Sequence, residues 1–382
     1  MENEDICKKI VQRQKDRRRR EKKIKIIVIA CLLVIAIGAA AGTIVFKMQD
    51  SKKNNTSKEK VVVKEDTSKK YSEKAVEEET EPETESELFE KAVYFKKSAS
   101  YQDMLSPEVQ SPYVSLVDVN KNEVIAGKSY DTRIFPASMT KVMTLIVIVE
   151  NLKSLDDTFE MTAEIIDPLA RQQASRAGFE PGEVVSAKDM LYGLVLASGA
   201  DCSVGLSELV CGSENGIVDL MNKKCQEMGL KNTHFMNTSG LHDENHYTTP
   251  LEMAMILKYA MSNETCAEIL STYQYTTAAN EIHPEGILLT STMFSRMYGD
   301  EVDTVKIISG KTGYTMEAGN CLVSYAERGQ DKYIAVTAGA ANRWNVIFDD
   351  FYIYGNYIPN PPGYSKNGTA ESDTAQESVN AE

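Results

Sequence analysis

An α+β fold is what the sequence predicts, with an antiparallel sheet flanked by helices and a helical region inserted into it. Two observations carry that expectation. Segments of period two open the globular part at residues 113–119 and close it at 320–326 and 333–338, while segments of helical period fill the stretch between them. Hydrophobic residues make up 42% of the chain and charged residues 26%, enough apolar material for one sizeable core.

The elements follow in order. Residues 113–119 alternate and are rich in β-formers. Asn120-Lys121-Asn122 makes a turn and 123–126 return, which predicts a hairpin. Pro136 is expected to open a helix, where its missing N–H costs nothing in the first turn. That helix runs through 142–150 with an almost unbroken apolar face, so it should be central and buried. The next helix starts at Ser186, with Asp189 in the place of Glu in a capping box, and breaks at Ser198-Gly199. Another begins near Asp201 and ends before Gly212. Residues 214–228 are amphipathic and stop at Gly229, a C-cap. Thr249-Pro250-Leu251-Glu252 joins a capping box to a proline at the first position and leads into 253–261. Strands return at 305–309, 320–326 and 333–338, the last two joined by the turn Arg328-Gly329-Gln330-Asp331.

The 382 residues hold 42 Lys and Arg against 56 Asp and Glu, a formal charge of −14. A nucleic-acid binder needs a basic face, so that class is disfavoured. Four histidines and one tryptophan leave little room for a His-rich metal site. The charge is uneven. Residues 1–25 hold 11 basic and 5 acidic groups, including Arg17-Arg18-Arg19-Arg20, and residues 26–46 hold none. A helix of that length spans roughly 31 Å, the thickness of a hydrocarbon core. We expect a basic cytoplasmic tail at 1–25 and a transmembrane anchor at 26–46, with the remainder outside. Ala39-Ala40-Ala41 keeps a cleaved signal peptide open as the other reading, although the apolar run exceeds the usual signal core. Residues 47–91 read as a disordered spacer ending in the acidic run 77–90. The globular domain is placed at 92–360, and 361–382 form a polar, disordered tail. Five cysteines follow the anchor: Cys202, Cys211, Cys225, Cys266 and Cys321. Their number is odd and no spacing suits zinc, so they read as small buried residues, with one disulfide left open.

Chemistry concentrates in three places. In Phe135-Pro136-Ala137-Ser138-Met139-Thr140-Lys141, Ser138 and Lys141 are three apart at a helix start and share a face. A buried lysine of lowered pKa can take the proton of a serine that is otherwise a poor nucleophile. Lys311-Thr312-Gly313 sets a cation, a hydroxyl and a glycine beside a strand, a shelf for a carboxylate. Ser198-Gly199-Ala200 lies between two helices. Each alone is weak. Together and in this order they match the S-x-x-K, S-D-N and K-T-G set of class A β-lactamases and penicillin-binding proteins.

The chain resembles that superfamily over residues 113–357. It is most similar to the serine-type D-alanyl-D-alanine carboxypeptidases, the low-molecular-weight penicillin-binding proteins. Residues 136–144, the loop from Gly240-Leu241-His242-Asp243 to His246-Tyr247-Thr248-Thr249, and Gly310 to Gly313 with Tyr314-Thr315 and Ala318-Gly319 carry the likeness. The resemblance implies a β-lactamase/transpeptidase-like fold and an acyl-serine mechanism without metal or cofactor. It makes Ser138 the nucleophile, Lys141 its base and Ser198 the relay to the leaving amine. Lys311 and Thr312 would hold the terminal carboxylate beside Gly313. The N–H groups of Ser138 and Tyr314 would form the oxyanion hole. Stem peptides of peptidoglycan are the implied substrate, β-lactams the implied covalent inhibitors, and the bacterial cell membrane the implied location. Arg343 either adds charge near the carboxylate or is a plain surface arginine.

Two departures stand out. The family's second motif ends in Asn, and here that position is Ala200. Losing its hydrogen bond costs about 1–3 kcal/mol, so an active but altered enzyme is expected. A catalytically impaired wall-binding homologue and a D,D-endopeptidase stay open as alternatives. Many relatives also carry a C-terminal β-domain, whereas about 20 polar residues follow the core here. Two other enzymes fare worse. A class A β-lactamase needs a deacylating glutamate, and Glu164 and Glu180 lack the Glu-x-x-x-Asn context. His242 and His246 do not follow the His-Glu-x-x-His order of a zinc peptidase.

Overall fold

The computed structural model describes residues 94–297, 302 and 304–359. The expected tail, anchor and spacer at 1–91 and the polar tail at 361–382 lie outside the described residues. Among the described residues no helix is long and apolar enough to cross a membrane.

One six-stranded sheet organises the domain. Its strands are β1 (Lys96–Asp103), β2 (Tyr113–Asp118), β3 (Glu123–Lys128), β8 (Lys306–Thr315), β9 (Gly319–Arg328) and β10 (Asp331–Ala340), in the order β1-β3-β2-β10-β9-β8. As expected, the first and last parts of the domain meet: β2 runs antiparallel to β10 with Leu116 opposite Ala335. Gly329 takes φ 63° in the tight turn from β9 to β10.

The sheet is mixed, which corrects the antiparallel expectation. β1 pairs with β3 in parallel, Lys96 opposite Glu123. Its sequence, KKSASYQD, has no β-branched residue, and only Ser98 is buried. Backbone pairing at a sheet edge holds it, and no side-chain pattern announces it.

Between the two halves of the sheet lie the remaining elements. These are α1 (Lys141–Asn151), β4 (Thr158–Glu160), α2 (Ala163–Arg171), β5 (Val184–Ser186), α3 (Ala187–Val195), α4 (Ala200–Cys211), α5 (Glu214–Glu227), α6 (Pro250–Ala260), α7 (Glu264–Ser271), β6 (Gln274–Thr276), β7 (Leu288–Thr290) and α8 (Phe294–Met297). A last helix, α9 (Asn345–Asn356), follows β10. Alternate residues of β10 serve opposite faces. Ile334 and Val336 pack in the main core with α6, whereas Tyr333 and Ala335 pack with Ile353 and Tyr354 of α9.

α1 is the central helix. Every residue from Lys141 to Ile148 is buried. Its run of Val, Met, Leu and Ile cannot face water, and each such side chain contributes about 1.5–3 kcal/mol on burial. Two helix starts use the expected caps: Ser186 Oγ accepts from Asp189 N at 3.0 Å, and Thr249 Oγ1 from Glu252 N at 3.1 Å. The second box is only half made. The Glu252 carboxylate accepts from Lys231 N, Asn232 N and Thr233 Oγ1. It ties a distant loop to α6, because that loop's donors would otherwise be buried unpaired.

The five described cysteines are free; four are buried and Cys211 is exposed. The apolar reading holds for four of them, and no disulfide joins any pair among the described residues.

Beneath α9 lies a buried polar group. Asp350 accepts from Ser324 Oγ at 2.7 Å through Oδ1, and Oδ2 has no partner. Burial holds its carboxyl well above the usual range, with Asp349 adding to the rise. Such a group favours folding when protonated. Its contribution is full below the unfolded pKa of about 4 and is lost as pH rises through the folded value. Asp350→Asn should therefore keep or raise the melting temperature at pH 8 and flatten the decline of stability with rising pH. Thermal melts from pH 4 to 9 test this; an equal loss at every pH would contradict it.

Candidate active site

The nucleophile turn comes first. Residues Ala137–Thr140 form a 3-10 turn ahead of α1, with Met139 N donating to Pro136 O at 3.1 Å. Pro136 therefore sits before a tight turn, and the α-helix begins five residues later than expected. The cause is local. Ala137 takes φ 46°, a left-handed value that breaks the helix and costs of order 1–3 kcal/mol. Two glycines let the surroundings close on it. A Cβ on Gly240, itself at φ 82°, would overlap the Ala137 carbonyl. A Cβ on Gly313 would stand 2.9 Å from Pro136 O and 3.1 Å from Ser138 N. Glycine at 313 lets β8 lie directly against the nucleophile turn.

Ser138 and Lys141 come together as the spacing predicts, with Nζ 3.1 Å from Oγ. Lys141 Nζ also donates to Ser239 O at 2.5 Å. The lysine is 2% exposed. Burial pushes its pKa down to about 7, against the charges of Asp201, Cys202 and Glu214, which pull it up. An amine that is about half neutral near pH 7, beside a serine hydroxyl, is an arrangement for taking its proton.

The second and third motifs meet each other. Lys311 Nζ donates to Ser198 Oγ at 2.9 Å and to Thr312 O at 3.0 Å. Ser198 sits at φ 59°, strained like Ala137. Its hydroxyl is paired with Lys311, and it makes no hydrogen bond to Ser138 or Lys141. Lys311 is 1% exposed, and burial, then Lys141, then Arg296 drive its pKa well down. Thr312 Oγ1 lies 2.7 Å from Thr292 Oγ1. Lys311, Thr312, Gly313 and Tyr314 all lie on β8, an edge strand, which continues past the 305–309 expected from the sequence. Its outer backbone groups are free to pair with an extended peptide. Tyr314 exposes 63% of its surface.

Two further residues, Arg296 and Ser239, escaped the sequence reading, and a third, His246, takes a role it did not foresee. Arg296 is half-buried and has no carboxylate partner among the described residues; burial and then the Arg343 charge lower its pKa, and its own charge helps to lower that of Lys311. Arg343 itself is exposed and stands over the Trp344 ring at 5.7 Å. No motif marks Arg296; only the fold does. Ser239 contributes a carbonyl, which no sequence signal reports. His246 is a tie rather than a metal ligand. Its Nδ1 accepts from Met236 N at 3.1 Å, which leaves Nε2–H to donate to Thr140 Oγ1 at 2.7 Å. Burial pushes its pKa down to about 4, so it is neutral and anchors the residue next to Lys141. His242 instead packs edge-on against Phe135. No group of metal-ligating side chains occurs among the described residues.

Ala200 has a definite environment. It is 2% exposed and packs with Ile165 and Leu169 of α2, with Leu241 beside them. Asp201, next in the chain, is held by the backbone and accepts from Ala177 N at 2.9 Å and Gly178 N at 3.3 Å.

A lysine-activated serine facing a lysine-threonine-glycine strand, on a sheet flanked by helices, defines a β-lactamase/transpeptidase-like serine acyl-transfer site. Solved structures agree on the fold. A point mutant of the Streptomyces K15 DD-transpeptidase superposes with TM-score 0.60 at 26% identity, covering 65% of this chain and 98% of that one. A D-alanyl-D-alanine carboxypeptidase from Mycobacterium tuberculosis gives TM-score 0.58 at 23% identity, covering 70% and 97%. Residues 97–342 match the Peptidase_S11 family, D-alanyl-D-alanine carboxypeptidase, and the chain belongs to that family. The curated relatives include D-alanyl-D-alanine carboxypeptidase DacF of Bacillus subtilis, 34% identical over 66% of this chain and 63% of that protein. Another is DacA of Escherichia coli, 29% identical over 61% and 57%. The chain thus spans about three fifths of the length of these relatives.

Two predictions follow from the packing. Gly240→Ala should push the loop off Ala137, cost about 2–4 kcal/mol and lower kcat at least about a hundredfold by misplacing Ser138. A variant with unchanged kcat and melting temperature would show that the turn does not depend on this contact. Ala200→Asn should bury an amide in an apolar cluster and cost about 1–3 kcal/mol without raising activity. A gain in kcat/KM at unchanged stability would mean that the amide reaches the cleft.

Proposed function

We propose that this chain is a serine D,D-carboxypeptidase that removes the terminal D-alanine from peptidoglycan stem peptides, and that β-lactams acylate the same serine. The observation that supports this best is the pairing of a buried, carboxylate-free Lys141 with Ser138 at 3.1 Å. Ser138 Oγ attacks the carbonyl between the two D-alanines, and its proton passes to Lys141 Nζ. The oxyanion is held by the N–H groups of Ser138 and Tyr314. Lys311, Thr312 and Arg296 hold the terminal carboxylate. The proton on Lys141 returns to the departing amine by way of Ser198, whose hydroxyl, paired with Lys311 Nζ at 2.9 Å, must turn toward Lys141 for this step. D-Alanine leaves, an ester of Ser138 remains, and water hydrolyses it to return the serine. Residues 26–46 would anchor the chain in the membrane with this domain outside.

A second reading, a wall-binding homologue that turns over slowly or not at all, draws on Ala200. The apolar packing of Ala200 speaks against it, because the missing amide leaves no hole and no unpaired partner at that position.

The test is D-alanine release from a pentapeptide stem by the full chain, beside Ser138→Ala and with a chelator added. Release that requires Ser138 and ignores the chelator is expected. Its kcat/KM should rise through pH about 7, as Lys141 loses its proton. Release by Ser138→Ala would overturn the assignment of the nucleophile.

A further inference from the structure

Substrate direction along β8 leads to a second site. On the reading above, the terminal carboxylate sits at Lys311 and Thr312, and the scissile carbonyl sits at Ser138 beside Gly313. The rest of the peptide must then continue past Tyr314 toward Glu317. An extended strand advances about 3.3 Å per residue, so the residue before the two D-alanines comes level with Thr315 and Met316. A groove of about 810 Å³ opens there. Phe135, Glu244, Tyr247, Tyr314, Met316 and Glu317 are among the residues that line it.

The groove is lined by two carboxylates, Glu244 and Glu317, and one cation, Arg133, so its net charge is −1. Arg133, its one cation, is already engaged: it donates to Asn232 Oδ1 at 3.2 Å and stacks on the Tyr247 ring at 4.2 Å. Glu244 has no hydrogen bond or ion pair among the described residues. Glu317 meets only the His242 ring, at 4.0 Å. Met316 and Tyr314 expose 86% and 63% of their surfaces. They offer an apolar lip for an aliphatic chain, with two carboxylates beyond it. An alkyl-ammonium matches both.

We propose that this groove binds the side chain of the stem peptide's diamino residue, with Glu244 and Glu317 holding its free ammonium. The inference rests on the D,D-carboxypeptidase reading and adds a selection to it. Stems whose side-chain amine is still free are trimmed, and stems whose amine has been acylated in a cross-link are disfavoured.

Three peptides test it with the full chain. One is L-alanyl-γ-D-glutamyl-L-lysyl-D-alanyl-D-alanine, the second is its Nε-acetyl form, and the third is acetyl-glycyl-D-alanyl-D-alanine, which has no side chain to place. An exposed ion pair contributes a few-fold, so two carboxylates should give about a tenfold preference in kcat/KM for the free amine over the acetylated form. That preference should shrink as ionic strength rises. In the double variant E244Q/E317Q the ratio should fall to near one. The ratio is taken within one preparation, so it does not depend on how much of the variant is folded. A ratio near one in the unaltered protein overturns the proposal, as does a tenfold ratio that survives in the double variant. Release from acetyl-glycyl-D-alanyl-D-alanine leaves the D,D-carboxypeptidase reading standing in either case. No D-alanine from any of the three peptides would overturn that reading and this inference with it.

Discussion

Two lysine amines are buried close enough to interact, and among the described residues neither has a carboxylate in contact. Lys141 and Lys311 are 2% and 1% exposed, and each lowers or is lowered by the other's charge and by burial. A protonated amine in such a place is expensive. Burial lowers the pKa of both, and each is surrounded by neutral oxygens: Ser239 O and Ser138 Oγ for Lys141, Ser198 Oγ and Thr312 O for Lys311. Reactivity follows from that shortage of negative charge. A carboxylate beside Lys141 would keep it protonated, and the serine would have no base. On the proposed reading, the same shortage at Lys311 and Arg296 is what a substrate carboxylate would complete.

Much of the fold exists to hold these two lysines in place. The nucleophile turn is pressed between a loop and a strand, each approaching through a glycine, Gly240 and Gly313. His246 ties Thr140 from the side, and Thr144 Oγ1 donates to Thr238 O at 2.7 Å one turn along α1. Loop 236–246 thus grips the start of α1 at several points while supplying the carbonyl that receives Lys141. This packing sustains the backbone strain at Ala137, the residue before Ser138; Ser198, also at positive φ, is held by Lys311 instead.

The sequence was most legible where chemistry and local geometry coincide. Ser138 and Lys141 share a face because three residues span nearly one helical turn, and a 3-10 turn serves as well as an α-turn. Ser186 and Thr249 announced their helices because a cap is satisfied within four residues. What escaped depends on distant partners. Glu252 was read as half of a capping box and instead clamps residues 231–233. β1 carries no apolar alternation, so its parallel pairing with β3 could be found only in the fold. Arg296 looks like any arginine until its lack of a carboxylate partner among the described residues is seen. His246 drew notice as a metal ligand, and both of its ring nitrogens prove to be occupied. Ala200 read as a defect because a motif was interrupted, yet its side chain completes an apolar cluster with Ile165 and Leu169.

The central claim is that burial alone holds Lys141 neutral near neutral pH, before any ligand arrives. Titration of the free protein labelled with 13C at the lysine ε-carbon tests it directly, with the Lys141 signal assigned by its absence in Lys141→Met. A midpoint at about 7 is predicted. A midpoint near 10, the ordinary value for an exposed lysine, would mean that Ser138 has no resident base and would contradict the account.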